Sequence, residues 1–469
     1  MILSIDLGTT LWKAALIDEN GAFAAKTALG TPEVSEDGHP VYDSGSLKQT
    51  LSGLVSGLGA EKLRSVRLIA LSGMAEAGLL ADRYSLKPLT SIWPWFDTRT
   101  LPLFESLKHK APFADRARVT GLPDSHKYGI YKLLTLLSLS KADPKRTVWM
   151  SLVSYAASIL TGACAEDVSI AARTGCLRLD TLSWDEDFLD RIGLSSANFP
   201  ALSAHGAAVG CLKSDFCGVP AGTPVALGGH DHLCAAASTD DMKNGGMFLS
   251  CGTAQVLLKA ARGYEAESGL SYGPGSNDLY AVLGSVQSAG GSVNLFCRLL
   301  YPGQDYETLL KEASEADYPP LLTYYPYLAG SGAPHIDPLA RAAVLGMTSE
   351  TERRDIICAV YAGVALETRY IAESLLYDPA LPICCIGGLT RHERYMQTLA
   401  DVLGTHIRVP AESEGTLYGA ARLCAEVTGA ADLGPLKTQK DYAPSRKLAA
   451  YWDGAYRDYV TTLRRLYDR

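Results

Sequence analysis

Two copies of one short phrase, set nearly half a chain apart, predict an α/β protein of two duplicated domains with a cleft between them. Ser4-Ile5-Asp6-Leu7-Gly8-Thr9-Thr10 stands near the start, and Phe248-Leu249-Ser250-Cys251-Gly252-Thr253-Ala254 near the middle. Each follows a short apolar run, holds a Gly-Thr pair at the turn and leads into a second apolar run. Each therefore predicts a hairpin tipped with small residues. A second observation is the alternation of strand-like and helix-like runs after the first hairpin, the pattern of an α/β unit. A third is size, because 469 residues suggest more than one domain.

The elements follow in order. Ile2–Asp6, Lys13–Asp18 and Ala22–Thr27 predict a strand meander turned at Glu19-Asn20-Gly21. A helix is expected around Leu47–Leu58 and a buried strand at Val66–Ser72. Leu79–Asp82 and Trp93–Asp97 are expected as strands or loops, Ile130–Ser140 and Leu152–Leu160 as helices, and residues 161–225 as a loop-rich region. Pro224–Asp231 predicts a strand ending in a glycine turn, followed by a helix of small residues at Leu233–Ser238. The polar patch Thr239–Gly246 marks the boundary, giving domains at 1–240 and 241–469. The second half restarts with the hairpin Met247–Ala260. A strand at Pro382–Ile386 and helices at Gly291–Leu300, Glu352–Leu376, Arg394–Leu403 and Thr416–Thr428 complete it. The cleft between the domains is the expected active site.

Charge excludes some functions. The chain has 51 acidic and 43 basic residues, a net charge of -8, which argues against a nucleic-acid binder. No basic run suggests a membrane surface, and no stretch of about 18 uncharged apolar residues predicts a spanning helix. The opening strand carries Asp6, so no signal peptide is expected. Eleven scattered cysteines without Cys-x-x-Cys or zinc spacing predict free thiols and a cytoplasmic location. The vicinal pair Cys384-Cys385 is read as strand core.

Four motifs carry chemistry. The Gly-Thr tips offer backbone N–H groups and hydroxyls to phosphate oxygens, and Lys13 could add charge. Only the first copy has a carboxylate, Asp6, placed to hold Mg2+ through water, where the second has Ser250. A lone Asp-x-Gly-Thr-Thr is an ordinary turn; the repeat makes a phosphate clamp the better reading. In Gly228-Gly229-His230-Asp231-His232, the glycines would let the backbone pass close to a ligand, and Asp231 could accept a hydroxyl proton. A helix-capping Asp is the equal alternative. His230 and His232 lack a paired carboxylate or third His for a metal set. Ile386-Gly387-Gly388-Leu389-Thr390-Arg391 could lay a flat ligand against the backbone, yet it is not Gly-x-Gly-x-x-Gly, so a dinucleotide fold is unsupported. Glu76, Trp95 and Asp97 combine rings and carboxylates in a way that suits a polyhydroxylated ligand. Trp93 is read as core, and an Asp97–Arg99 structural pair is the bland alternative.

The order of these motifs, over nearly the whole chain, resembles the FGGY carbohydrate kinases, a branch of the actin/hexokinase/Hsp70-like ATPases. The resemblance implies two duplicated ribonuclease H-like (actin-like ATPase) domains, ATP and Mg2+ as cofactors, and a small sugar or polyol as partner. Asp6 through Thr10 is similar to the family's first phosphate motif, with Asp6 at the metal, Gly8, Thr9 and Thr10 at the phosphates and Lys13 nearby. Trp95-Phe96-Asp97-Thr98-Arg99 resembles the sugar-site segment Trp-x-Asp-x-Arg, and Glu76 falls in the same pocket. Asp231 inherits the role of catalytic base. Gly252 and Thr253 fall in the second phosphate motif, and Gly290 and Asn294 where the family approaches ATP. Gly387, Gly388 and Arg391, followed in order by Gln397, Ala400-Asp401, Glu414 and Gly419-Ala420-Ala421, resemble the adenosine motif.

Departures are equally informative. Ala254 replaces the usual Ser of the second phosphate motif, and Tyr395 the usual Trp. The crossing segment reads Gly330-Ser331-Gly332-Ala333-Pro334 rather than Gly-Glu-Arg-x-Pro. Met74-Ala75-Glu76-Ala77 matches neither of the family's well-known xylulose-kinase and glycerol-kinase versions. A ketopentose such as xylulose is the expected acceptor by family frequency alone. A nucleotide-gated actin- or Hsp70-like interaction protein is the rival expectation, and a homodimer stays open.

Overall fold

Ile2–Leu7 (β1) is buried along its whole length because it lies between two strands in the middle of a sheet. It pairs antiparallel with Leu11–Ile17 (β2) and parallel with Leu68–Gly73 (β4), and both faces are covered, which is why four of its six residues are apolar and all six are buried. Phe23–Gly30 (β3), Ala208–Cys211 (β5) and Pro224–His230 (β6) complete the order β3-β2-β1-β4-β6-β5. The computed structural model describes residues 1–275, 279–303, 306–315 and 322–467.

The second sheet repeats the first. Its strands are Met247–Cys251 (β7), Gln255–Ala261 (β8), Ser271–Pro274 (β9), Tyr280–Val286 (β10), Ile383–Ile386 (β11), Ile407–Pro410 (β12) and Thr438–Tyr442 (β13), ordered β9-β10-β8-β7-β11-β12-β13. The core β10-β8-β7-β11-β12 mirrors β3-β2-β1-β4-β6, with the same two antiparallel and two parallel pairings. The shared strand order bears out the duplication read from the hairpins.

Helices cover the sheets: Leu47–Ser56 (α1), Gly129–Ser140 (α2), Leu152–Thr161 (α3), Asp231–Ala236 (α4), Gly290–Leu300 (α5), Arg353–Ser374 (α6), Glu393–Leu403 (α7), Gly415–Thr428 (α8) and Ala449–Tyr467 (α9). On one face of β1, Leu3, Ile5 and Leu7 pack in a cluster with α1 and α3. On the other face the cover is α8, a helix from the second half. Its Tyr418, Ala420, Ala421, Cys424 and Ala425 bury Ile2, Ile17, Leu68, Ala70 and Ala226. Ser4 Oγ donates to Leu417 O at 2.8 Å, so the same helix satisfies one of the two polar residues on that face, the other being Asp6.

Residues 161–225 are loop-rich as expected, with strands at Ala165–Asp167 and Ala201–Ser203, short helices at Val168–Ala171 and Glu186–Arg191, and β5 set among the loops. The Trp93–Asp97 run takes the loop form of its two expected ones, bridged once to Gly78 and followed by a 3-10 turn at Thr98–Thr100. Other local expectations change. Helix α4 starts two residues before the expected Leu233, so Asp231 lies in its first turn. Helix α9 adds to the expected elements, and Trp452, Tyr456, Tyr459 and Leu463, which recur at helical spacing, are its buried residues. Cys384 and Cys385 are strand core, and all eleven cysteines, each among the described residues, are free thiols. Among the described residues no helix is long and apolar enough to cross a membrane.

Candidate active site

Both hairpins close with three residues, Gly8-Thr9-Thr10 between β1 and β2 and Gly252-Thr253-Ala254 between β7 and β8. Asp6 sits opposite Lys13 on β2 and Ser72 on β4. It is 8% exposed, and its Oδ1 is buried with no hydrogen-bond partner. Burial first, and then the negative charge of Asp231, push its pKa up to about 8; Lys13 opposes the shift. Lys13 Nζ lies 2.7 Å from Glu414 Oε2 at the start of α8, which engages one of its three donors. An orphaned carboxylate oxygen beside a second acid is a donor set that fits Mg2+, which takes one or two carboxylates and keeps its waters.

Asp231 lies just beyond the glycine turn. The reason for the glycines differs from the expected one. Gly229 has φ +88°, and a Cβ there would fall 2.3 Å from Asp167 Oδ1 and 2.4 Å from Ser169 Oγ. At Gly228 a Cβ would meet Ala420 Cβ at 3.0 Å. The close approach is thus to protein, not ligand. Nor does Asp231 cap α4; His230 holds the N-cap position. Asp231 Oδ1 accepts the His232 N–H at 2.7 Å. Burial raises the Asp231 pKa, His232 and its amide oppose, and Glu76 adds to the rise. His230 Nε2 lies 3.3 Å from Asp231 Oδ1, but burial and His232 hold that imidazole neutral, so the contact is not an ion pair. Donor atoms of His230, Asp231 and His232 fall within 4.8 Å of one another. Asp231 itself thus supplies the third ligand atom whose absence had spoken against a metal set.

The three expected acceptor residues differ in availability. Glu76 follows β4 at φ +59°, strained for a non-glycine, and its Oε1 accepts from Arg173 Nε at 2.7 Å and Nη2 at 2.6 Å. Trp95 Nε1 donates to Thr9 Oγ1 at 2.9 Å, tying this loop to the first Gly-Thr tip, and Lys127 Nζ lies 4.8 Å over its ring. Asp97 is held by Arg99 through Nε and Nη2, at 2.6 Å for the shortest bond, and its side chain is 1% exposed. The bland alternative therefore describes Asp97 as the structure has it, while Arg99 also reaches Glu36 and covers the buried Trp93 ring.

A second group gathers around the second tip. Gly290 N–H donates to Gly252 O at 3.2 Å and Gly291 N–H to Thr253 O at 3.0 Å. A Cβ on Gly290 would lie 2.6 Å from Gly252 O, and one on Gly387, at φ +132°, 2.4 Å from Cys251 O. These glycines fit the hairpin backbone. Gly388 is different: it is exposed, with nothing within 4 Å of a Cβ, and remains open to a flat ligand. Asn294 and Arg391 are exposed beside this group. Among the described residues no hydrogen bond or ion pair joins it to the Asp6–Asp231 group. Arg173 and Lys127 were missed by sequence reasoning. Arg173 lies where loop was expected, and no local spacing marks its pairing with Glu76.

Comparison with known proteins gives a consistent picture. The model of the FGGY family of carbohydrate kinases, N-terminal domain, matches residues 1–238, and the C-terminal domain of the same family matches residues 247–426. A xylulose kinase of Bacillus subtilis (strain 168) is 27% identical over 455 residues, covering 91% of this chain and 88% of that protein. A glycerol kinase of Thermus brockianus is 28% identical over 461 residues, covering 93% and 91%. Among solved structures, a xyloylose kinase from Brucella ovis superposes with TM-score 0.90 at 24% identity over 99% of each chain. Plasmodium falciparum glycerol kinase with ADP gives 0.89 at 23% identity over 99% of this chain and 98% of that one. At such identity the superpositions speak for the fold.

Proposed function

The chain belongs to the FGGY family of carbohydrate kinases, and from that premise we propose that it transfers the γ-phosphoryl group of ATP to a hydroxyl of a small sugar, ketose, polyol or sugar acid. A ketopentose such as xylulose is the leading acceptor, a reading supported by xylulose kinases among its relatives and structural neighbours. One observation carries the kinase reading above all: two acids, the buried Asp6 and the partly exposed Asp231, lie close enough for the second to raise the pKa of the first beside a Gly-Thr tip. The Trp95 bond to Thr9 and the electrostatic influence of Glu76 on Asp231 support an acceptor site beside them.

The division of labour follows from the residues. Asp231 orients the acceptor hydroxyl and takes its proton as the phosphoryl group transfers. Thr9, Thr10 and Thr253, with the N–H groups of Gly8 and Gly252, receive the phosphate oxygens. Gly290, Asn294, Gly388 and Arg391 flank the nucleotide, and Gly387 shapes the hairpin beneath it. Asp6 would hold Mg2+ through water, and the ion supplies positive charge against the phosphates. Glu76 with Arg173, and Trp95, recognise the acceptor; Asp97 fixes Arg99 and the loop. Positioning and charge neutralisation supply most of the rate. The boundary expected at 240 is corrected by α8, which packs on the first sheet, and two lobes divided in that way would close over the substrates and exclude water. The eleven free thiols suit a reducing cytoplasm.

A panel of ketoses, polyols and aldonic acids in a coupled ADP-release assay tests the reading. A ketopentose is expected to give the highest kcat/KM, and no acceptor-dependent release from any member would refute the kinase reading. ATP hydrolysis stimulated by an unfolded peptide alone would favour the actin- or Hsp70-like rival instead.

Asp6 provides a pH test. Its carboxyl ionises near 3.8 in the unfolded chain and at about 8 in the folded one. Its contribution to stability is therefore full below pH 3.8 and is lost as pH rises toward about 8. Mg2+ favours the ionised form, so metal binding must displace a proton and tighten as pH rises through this window. Calorimetry of Mg·ATP binding at pH 7 in buffers of different ionisation heat is expected to show more proton release for the wild type than for Asp6→Asn. Equal release from both would remove Asp6 from the metal site.

A further inference from the structure

The strand that carries Asp231 is irregular just before the acid. Pairing of β6 with β4 slips by one residue between Leu227 and Gly229 and resumes at Gly229–Ser72 and His230–Gly73. A side chain adds a further hold. Ser169 Oγ accepts the backbone N–H of His230, the residue immediately before Asp231, at 3.0 Å. The same hydroxyl donates to Asp167 Oδ1, which also accepts the Ser169 N–H at 2.8 Å. Asp167 is 0% exposed, and His205 Nδ1 lies 3.2 Å from each of its oxygens. Burial pulls the His205 pKa down, but the Asp167 carboxylate outweighs it and the net shift is upward.

The geometry leaves little slack. A Cβ on Gly229 would strike both Asp167 and Ser169, so this strip of backbone lies directly on the pair. The Ser169 hydroxyl has one proton, and Asp167 fixes where it points; the lone pairs are thereby turned to the His230 amide. A buried acid with a single hydroxyl and one amide to satisfy it would be costly, and the imidazole completes its set. None of these three side chains is needed to bind ATP in the reading above.

We propose that Ser169 is a positioning residue for Asp231, with Asp167 and His205 as its supports. The proposal rests on the reading of Asp231 as the catalytic base. It acts through the backbone: the hydroxyl holds the His230 N–H, and the direction of the next side chain follows. Misplacing a reacting group by about 1 Å costs on the order of 10²-fold in rate, so a loss at Ser169 should appear in kcat.

The test uses the full chain and four variants, Ser169→Ala, His205→Ala, His205→Gln and Asp231→Asn, with the best acceptor of the panel. Ser169→Ala is expected to lower kcat by roughly 10- to 100-fold, with the KM for ATP and the melting temperature nearly unchanged. His205→Ala should give a smaller loss, and His205→Gln, which keeps a donor toward Asp167, should recover most of it. Ser169→Ala should add no further loss on top of Asp231→Asn, because the two act as one unit. Amide exchange across residues 228–234 should quicken in Ser169→Ala whether or not any acceptor turns over.

Wild-type-like kcat in Ser169→Ala would overturn the proposal, as would the same fold-loss in the Asp231→Asn background. A KM for ATP that rises in step with falling kcat would do so too. If Ser169→Ala does not fold, His205→Ala, at a partly exposed ring, carries the same readouts. If the wild type phosphorylates nothing, the kinase reading fails, and unchanged exchange in the variant decides separately against the clamp.

Discussion

Replacing Asp231 with Asn is expected to cut acceptor-dependent ADP release by roughly 10²- to 10⁴-fold, the usual share of a general base. ATP binding should persist, because the nucleotide contacts proposed here come from the Gly-Thr tips and the Gly290 and Gly388 region. The amide keeps the shape of the side chain and its contact with the His232 N–H, so the loss reports the missing base rather than a collapsed turn. A second signature accompanies it. Asp231 is the second-largest cause of the raised Asp6 pKa, so the Asp6 carboxyl should titrate lower in the variant. Titration of Asp6 by carboxyl NMR checks this without any turnover. Near-normal turnover in Asp231→Asn, measured with saturating acceptor, would remove Asp231 from the role.

The largest structural effect is expected at Gly419. A Cβ there would fall 1.7 Å from Cys234 O, 2.7 Å from Cys234 C and 2.9 Å from Ser238 N. These are backbone atoms of α4 and its exit, so no rotamer change can relieve the clash. Alanine in a helix interior gains about 1 kcal/mol in propensity over glycine. Separating two packed helices costs about 1–3 kcal/mol and occasionally more, and here the approach is well inside contact distance. The net outcome of Gly419→Ala is therefore destabilisation, read as a lower denaturant midpoint at unchanged m. Because α4 begins with Asp231, kcat should fall as well. A midpoint at or above that of the wild type would show that α8 can shift without cost.

Local chemistry was legible, and contacts across the chain were not. The hairpin tips could be read because small residues, a hydroxyl pair and flanking apolar runs are all neighbours in sequence. Asp6 stood out against Ser250 for the same reason. Asp231 was found from its glycine turn, yet the reason for Gly229 was misread, because Asp167 and Ser169 lie some sixty residues upstream and no periodicity links them. The same limit hid Arg173, which meets Glu76 only in the folded chain. Asp97 could be read equally as ligand or as partner of Arg99, and burial decides that. The repeated strand order could not be read from two hairpins alone, since parallel pairings join segments far apart. Helix α9 was legible in its sequence, where Trp452, Tyr456, Tyr459 and Leu463 mark one face.

Helix α8 changes how the molecule can be divided. The chain leaves the second sheet after β12, buries α8 and residues through Leu436 against the first sheet, and returns as β13. The outgoing and returning strands are joined at the crossing by the Ala411 N–H to Lys437 O bond of 3.1 Å. Covalent order and spatial membership therefore disagree. A fragment ending at residue 240 would expose Ile2, Ile17, Leu68, Ala70 and Ala226, and its counterpart would carry α8 with its apolar face bare. Any rotation of the second sheet must leave this helix behind and flex the chain in three places: near 239–246, near 411–414 and at 437. The lobes are thus strapped together, one of them wearing a piece of the other, and closure becomes a twist about a paired strap rather than a swing on a single linker.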